Sequence, residues 1–416
     1  MTLHQHIVPH TKHLRVFYTV AQQASMSKAA EELRRAPSAV ANSIRQLEAS
    51  LQAALFERTT RGVILTEAGR ILARRVEYAF EEMQAVRAKL DEVHARNGTT
   101  PLRNPPIYSL AVNERRLAVW IAFAERKHMG EVARQMQISQ PAVSMALRDL
   151  EDSTGLTLFD RSTSVVRLTS VGELLLMHVK RALAQLGLAL AEIAALKGVM
   201  EGQVTIGALP FGRAYILPMA IARIHEKYPL LRFVTVEGPF ESLVNKLWCG
   251  DLDLVLGPLP PVEQYSDLLR EDIFNDRIAV IARAGHPLAE DHAHLQDLAE
   301  AHWVLPAAGT PTRESLQSAF QSMGVQEPHV TVESSDLSMI RGLLLNSDLI
   351  TAASRHLFEP EIRAGLLRVL PIELPQTRRH IGILRRKQEH SSPGAQLLIE
   401  EIRNTRIEGV DLACPS

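Results

Sequence analysis

Residues Leu14–Val76 align with Leu117–Val179 at a constant offset of 103 positions, without a gap, and 21 of the 63 pairs are identical. The matches fall in blocks. LFER (Leu55–Arg58) pairs with LFDR (Leu158–Arg161), LTEAG (Leu65–Gly69) with LTSVG (Leu168–Gly172), and Ala39–Glu48 with Ala142–Glu151. Patterned identity over so long an ungapped stretch marks the duplication of one supersecondary unit. Any fold must therefore hold two copies of one small unit and bury each in the same way. At about 150 residues per domain, 416 residues leave room for about two to four domains.

Each copy reads as a helix, a short helix, a turn, a longer helix and a hairpin. In the second copy Leu117, Trp120, Ile121 and Ala124 recur at helical spacing, and Val132, Ala133 and Met136 form the inner face of the short helix. Ser139 then suits an N-cap and Pro141 the first turn of a longer helix that buries Val143, Leu147 and Leu150. Leu158–Phe159 and Val166–Leu168 alternate as two short strands. Three helices and a hairpin make a winged helix-turn-helix, whose second motif helix enters the DNA major groove. The expected boundaries are 12–66 and 114–169 for the two α-rich winged units. A helix over 67–96, an interdomain linker over 97–113 containing NGTTPLRNPP, and a second long helix over 170–200 complete the front.

The residues of these copies carry a family resemblance. The pattern A..M.ISQPAVS..L..LE...G..LF.R.....LT..G in the second copy resembles the DNA-binding domain of LysR-type transcriptional regulators, and the first copy fits nearly as well. Base-edge contacts are expected from Ser139, Gln140, Pro141 and Ser144 in the second copy, with Ser38 and Asn42 in the matching places of the first. Arg45 and Arg148, a turn further along, suit phosphate. Arg58, Arg61, Arg161 and Arg167 flank the wings as DNA contacts or as ion-paired braces. In the second long helix Val179, Leu183, Leu186, Leu190 and Ile193 alternate at steps of four and three, a coiled-coil seam. In the family this helix pairs two protomers, so the seam is expected to dimerise; the alternative is packing against its own chain. The seam repeats in the first copy as Val76, Phe80, Met83, Arg87 and Leu90, where Arg87 weakens it.

From Gly202 the period changes. QVTIG, LRFVTVE and LDLVLG are short apolar strands separated by helices over Ala214–Lys227 and Phe240–Cys249, which implies a parallel, doubly wound sheet. A second such unit is expected from about Asp276, with lobe I at about 201–275 and 381–406 and lobe II at about 276–380. IGALP, GDLDLVLG, GHPLA and RHIGILRR resemble the LysR-type effector domain, a bilobal, periplasmic-binding-protein-like α/β fold, with phrases similar to the branch of galactose-binding-protein and protocatechuate-operon regulators. Ligands bind at the C-terminal ends of parallel strands and at helix N-termini. That selects Pro210, Phe211, Gly212, Gly238, Phe240 and Pro258 on one side and Thr310, Thr312, Arg313, Ser334 and Ser335 on the other. Arg313 suits a carboxylate, whereas Phe211 and Phe240 line the ligand or simply pack between lobes.

Charge supports a divided chain. The net −1 combines +5 over residues 1–106, +1 over 107–201 and −7 over 202–416, a basic front and an acidic back. The two cysteines, Cys249 and Cys414, exclude a disulfide framework and fit a reducing, cytoplasmic setting. The N-terminus lacks an apolar signal region, and the greasy stretch Ala182–Leu196 reads as too short to span a bilayer. Sixteen histidines form no HExxH, and neither GxSxG nor a phosphate-cradling glycine loop is present, which argues against an enzyme and a metal site. The expected function is sequence-specific DNA binding modulated by a small organic acid or sugar, without a cofactor. Its expected partners are double-stranded DNA, further copies in a homodimer or homotetramer, and RNA polymerase, with no membrane. The alternative is a solute receptor or enzyme on the bilobal fold, its repeats serving protein interaction only.

Overall fold

In a computed structural model of the chain, which describes residues 11–60, 62–96, 105–162, 166–260, 262–289, 295–326, 329–387 and 391–405, the two copies fold alike. The first comprises α1 (Thr11–Gln23), α2 (Met26–Glu32), α3 (Pro37–Leu51) and a hairpin of β1 (Phe56–Thr59) and β2 (Gly62–Leu65), continued by α4 (Glu67–Arg96). The second comprises α5 (Glu114–Arg126), α6 (Met129–Met136), α7 (Gln140–Thr154), β3 (Phe159–Asp160) and β4 (Arg167–Leu168), continued by α8 (Ser170–Leu196). Positions 97–104 of the interdomain linker lie outside the described residues, as do Arg61 and 163–165 at the wing tips.

The duplicated residues turn out to be the scaffold. Ala24 and Lys127, Arg34 and Gln137, and Gln52 and Gly155 are each 103 apart, and all six take left-handed backbone angles, with φ of 48° and 55°, 51° and 52°, and 49° and 68°. Such angles cost a side chain energy, so their repetition reflects turns dictated by the packing around them. Glu48 Oε1 accepts from the backbone N–H of Leu55 at 2.8 Å, and Glu151 Oε1 accepts from Leu158 and Phe159 at 2.8 and 3.0 Å. Thr66 donates to the Ala54 carbonyl and accepts from Gly69 N–H, and Thr169 does the same with Thr157 and Gly172. At Gly69 and Gly172 the chain passes so close to a carbonyl that a Cβ would lie 2.1 Å from Leu55 O and 2.4 Å from Leu158 O. LTxxG therefore starts the long helix and presses it onto the hairpin.

α4 and α8 pack on one another within the chain. In this structure the α8 seam is thus covered within the chain, the alternative to pairing with a second protomer. Val179, Leu183, Leu186 and Ile193 are buried, with Leu190 partly so, and the apolar surface covering them comes from α4, through Leu72, Val76, Ala79, Met83, Val86 and Leu90. The sequence also understated the length of this apolar element. α8 runs 27 residues and is, among the described residues, a helix long and apolar enough to cross a membrane by length and composition, with 56% of its most apolar window buried in protein. It is apolar on several faces because α4 lies on one side and the C-terminal half of the chain on another.

That half contains β5 (Gly202–Ala208), α9 (Leu217–Lys227), β6 (Leu231–Val236), α10 (Phe240–Trp248), β7 (Leu254–Pro258), β8 (Leu268–Arg283), α11 (Leu295–Glu300), β9 (His302–Leu305) and α12 (Pro311–Ser322). The chain continues with β10 (His329–Glu333), α13 (Leu337–Asn346), β11 (Thr351–Ser354), α14 (Glu359–Arg363), β12 (Leu367–Val369), β13 (Arg378–Arg386) and α15 (Pro393–Asn404). The main sheet runs β11-β8-β13-β7-β5-β6, with β12 also on β8. β5 is parallel to β6 and β7 as expected, but β13 is antiparallel to both β7 and β8. The strand expected to begin near Asp276 begins at Leu268 instead. One strand, β8, crosses the whole region: it pairs with β13 up to Arg277 and with β11 from Ile278. The partner switch at Arg277–Ile278 falls at the lobe boundary read from sequence. β9 and β10 form a separate parallel pair that meets the sheet where Trp303 bridges Ile350.

Candidate nucleic-acid interface and effector cleft

α3 buries Val40, Ile44 and Leu47 and turns Ser38, Asn42 and Arg45 to solvent; α7 buries Val143, Leu147 and Leu150 and exposes Pro141, Met145 and Arg148. Spacings of three and four put each exposed set on one face, opposite the core. Ser139 is the N-cap of α7, its Oγ accepting from Ala142 N–H at 3.3 Å, and Gln140 follows it in the open. The α3 start has Pro37 in its first turn and Ala36 as a cap without a side-chain bond, leaving backbone N–H groups unclaimed by any cap there. The structure also corrects one pairing. Asn42 corresponds to Met145, an apolar side chain 60% exposed, whereas Ser144 corresponds to Ala41 and is half-buried on the flank. Met145 was missed because an apolar residue on a helix reads as core, although the 103-residue offset already placed it opposite Asn42.

The arginines separate into two kinds. Arg161 is bound to Glu151 at 2.7 Å and lies over the Phe159 ring at 5.5 Å, and that same glutamate holds the hairpin backbone. Arg161 thus serves as an ion-paired brace, one of the two roles expected of it. Arg45, Arg58, Arg148 and Arg167 are exposed, and Arg61 lies outside the described residues.

In the C-terminal half the candidates divide similarly. Phe211 is buried against Phe274 (ring centroids 5.0 Å) and His356 (5.9 Å), so it packs between lobes, and Gly212 beside it is buried against Leu256. Phe240, at the start of α10, meets Tyr265 edge-to-face at 5.7 Å in a different apolar cluster. Gly238 is exposed with φ of 154°, Pro258 ends β7 beside Ile381, and Ser335 is exposed. Around the α12 N-terminus polar groups converge. Thr310 spends its hydroxyl on the Ala307 carbonyl and caps nothing, so the first N–H groups of α12 lack a side-chain cap. Thr312 accepts from Arg379 Nη1 at 3.2 Å; Arg379 Nε binds Asp276 at 2.9 Å, and Asp276 accepts from Ser354 at 2.8 Å. Arg313 Nη1 is buried and has no hydrogen-bond partner among the described residues. Ser334 N–H donates to Leu305 at the C-terminal ends of the parallel pair β9–β10. A helix N-terminus, a guanidinium with a buried unused donor and a second arginine nearby suit a carboxylate. Arg379 and Asp276 were missed as candidates because RHIGILRR and the segment around Asp276 read only as strands.

One further residue links the parts. Lys180 of α8 is buried and donates to Glu125 of α5 at 3.0 Å and to Asp251, in the turn between α10 and β7, at 2.8 Å. Burial lowers its pKa, but Asp251 and Glu125 together outweigh that and hold the ammonium above its ordinary value. Arg181 beside it donates to the Trp248 carbonyl at 2.6 Å. No sequence signal marks Lys180, since its partners lie 55 and 71 residues away.

Comparison with known proteins places this geometry. The profile described as "Bacterial regulatory helix-turn-helix protein, lysR family" matches residues 11–70 and 115–173, and "LysR substrate binding domain" matches 197–406. The HTH-type transcriptional regulator GalR of Pseudomonas putida is 41% identical over 401 residues, covering 96% of this chain and 98% of GalR. The transcriptional dual regulator GltC of Bacillus subtilis is 30% identical over 283 residues, covering 68% of this chain and 93% of GltC. Among solved structures, a full-length OxyR from Pseudomonas aeruginosa shares the fold with a TM-score of 0.52 at 24% identity, over 70% of this chain and 95% of that one. Full-length CbnR complexed with its target DNA does so with a TM-score of 0.51 at 19% identity, over 70% of this chain and 99% of that one. The chain belongs to the LysR family of DNA-binding transcriptional regulators, with an effector-binding domain in its C-terminal half.

Proposed function

We propose that both copies are winged helix-turn-helix DNA readers and that a small organic acid bound beside Arg313 and Arg379 resets them. The observation that carries the first part is the matched exposure of Ser38, Asn42 and Arg45 on α3 and of Pro141, Met145 and Arg148 on α7, above cores of the same pattern. Asn42 and Gln140 suit adenine edges, Met145 a thymine methyl, and Arg45 and Arg148 phosphates. The unused donor of Arg313 at the α12 N-terminus favours an acid over a neutral sugar. Lobe movement would reach α8 and α5 through Asp251 and Lys180. The remaining expectations stand with this reading: a cytoplasmic regulator that contacts RNA polymerase and uses no cofactor.

Titration of the full chain against DNA from upstream of neighbouring genes tests the DNA reading. Binding that weakens steeply with salt supports it, and binding that is absent or indifferent to salt refutes it. A thermal-shift screen of organic acids and sugars tests the effector class. A sugar that stabilises the chain without involving Arg313 would refute the carboxylate assignment.

A further inference from the structure

Two of the hydrogen bonds between α4 and α8 obey the 103-residue offset. Arg75 donates to Gln185 at 2.9 Å, and His178 meets Glu82 at 2.7 Å. Position 75 corresponds to 178 and position 82 to 185, so the two contacts are one contact and its image. The buried positions follow the same rule: Leu72 and Leu175, Val76 and Val179, Ala79 and Ala182, Met83 and Leu186, Val86 and Ala189, and Leu90 and Ile193 are all buried. When residue i of one element meets j of the other, and j of the first meets i of the second, the interface is isologous, the arrangement of a two-fold dimer. Here both halves belong to one chain. The contacts also run antiparallel, since a lower number on α4 meets a higher one on α8, and the pseudo-axis falls beside Ala79 and Ala182.

The charges specify this pairing over the alternatives. Glu192 of α8 binds Arg74 at 3.1 Å and also Arg75, while Glu82 of α4 meets His178 and lies 3.8 Å from Arg181. The α4 counterpart of Glu192 is Lys89, so an α4–α4 pair between two chains would set Arg74 and Arg75 against a lysine, twice. An α8–α8 pair would leave Glu192 facing Met177 and His178, the counterparts of Arg74 and Arg75. Glu192 finds both its arginines only across the mixed pair, the rule by which charges choose partners in paired helices.

We infer that one chain supplies, in cis, a pair of DNA readers, and that its operator is made of two unlike half-sites. This rests on the reading that both copies bind DNA. The antiparallel pair sets the starts of α4 and α8 about 35 Å apart along the pair, at about 1.5 Å per residue from the axis, close to one turn of DNA. The two reading faces differ, Asn42 standing where the other copy has Met145 and Ser38 where it has Pro141. A pseudo-symmetric protein with unlike readers matches an asymmetric site, whereas identical readers would match a palindrome.

The test has two independent readouts. First, unlabelled and 15N-labelled full-length chains are mixed in equal amounts, incubated to allow exchange, cross-linked between carboxylates and lysines, and analysed by mass spectrometry for α4–α8 peptides. Pairs of a single isotope are expected, and mixed-isotope pairs would overturn the cis arrangement whatever happens on DNA. As a second reading of the same point, Ala79→Cys with Ala182→Cys, in a Cys249→Ser, Cys414→Ser background, is expected to oxidise to a disulfide within one chain; a band of twice the mass would overturn the proposal. Second, footprints of Asn42→Ala and Met145→Ala are compared on DNA selected by the wild-type chain. Each is expected to weaken protection by at least fivefold at a different half-site. Loss at the same half-site in both would overturn the proposal. Single-isotope cross-links with no footprint from the wild-type chain would overturn the DNA reading beneath it, leaving the helix pairing intact.

Discussion

Replacing Arg75 with methionine probes the contact between the two copies most sharply. Arg75 is 1% exposed, donates to Gln185 at 2.9 Å and is ion-paired with Glu192, whose side chain is 15% exposed. Removing one partner of a buried ion pair costs about 3–5 kcal/mol, because the other charge stays buried. Glu192 keeps Arg74 at 3.1 Å and some contact with water, which lowers that cost, while the lost bond to Gln185 adds about 1 kcal/mol. The expected net loss is about 3 kcal/mol, or a fall of about 6–12 °C in the Tm of the transition of the front half, from α1 to the end of α8, if it melts as one cooperative body of about 190 residues. Differential scanning calorimetry of the full chain measures it. Arg75→Met combined with Glu192→Met removes both charges and is expected to recover most of the loss, since an apolar pair of similar volume is nearly neutral. Because the pairing lies within one chain, the shift is expected to be the same across a hundredfold range of protein concentration. A loss below about 0.5 kcal/mol, the size of an exposed pair, would refute the reasoning, as would a Tm that climbs with concentration.

Other substitutions test the remaining parts. Arg45→Ala and Arg148→Ala are each expected to reduce the slope of log K against log salt by about 1 without changing the preferred sequence, whereas an altered sequence preference would make them base readers. Gly172→Ala, whose Cβ would lie 2.4 Å from Leu158 O, is expected to cost about 1–3 kcal/mol in chemical denaturation, and a neutral result would contradict the close approach. Burial lowers the pKa of His356, with Asp276 and Glu359 opposing and Arg355 assisting. The fold therefore favours the neutral ring, its contribution is complete above the ordinary value of about 6.5, and stability falls as pH drops below it because the unfolded chain takes up the proton first. Glu82 behaves differently. Burial raises its pKa, but the His178 hydrogen bond and Arg181 outweigh that and hold it below the ordinary value, so its contribution is lost only as pH falls through the carboxylate range. Calorimetry between pH 7 and 3 is expected to show His356→Phe flattening the part of this dependence below about pH 6.5 and Glu82→Gln the part below about pH 4.5; an unchanged profile in both would refute the assignments.

The repeat was legible in the sequence because duplication preserves what holds a unit together. Glu48 and Glu151, Thr66 and Thr169, and Gly69 and Gly172 are identical because each satisfies backbone groups or permits a close approach that the unit cannot lose. Identity therefore does not separate braces from exposed candidates: Arg161, fixed in LFxR, holds Glu151, Arg45 and Arg148 are identical yet exposed, and Asn42 and Met145 face solvent and differ. The α8 seam was visible at its steps of three and four, but its partner was not. A stripe records that something covers it and not whether the cover comes from the same chain. Pairs far apart in sequence, such as Lys180 with Asp251 or Arg379 with Thr312, leave no local signature, since a buried lysine or a strand arginine looks like any other until the chain folds. The antiparallel placement of β13 was hidden likewise, because an apolar strand reads the same in either direction.

Selection of bound sequences from a random duplex DNA library by the full-length chain tests the central claim most directly. Two unlike half-sites centred about 10–10.5 base pairs apart, or a small multiple of that, are expected. Enrichment of a perfect palindrome would contradict the unlike readers, a single half-site would leave one copy without a role on DNA, and no enrichment at all would contradict sequence-specific reading by α3 and α7.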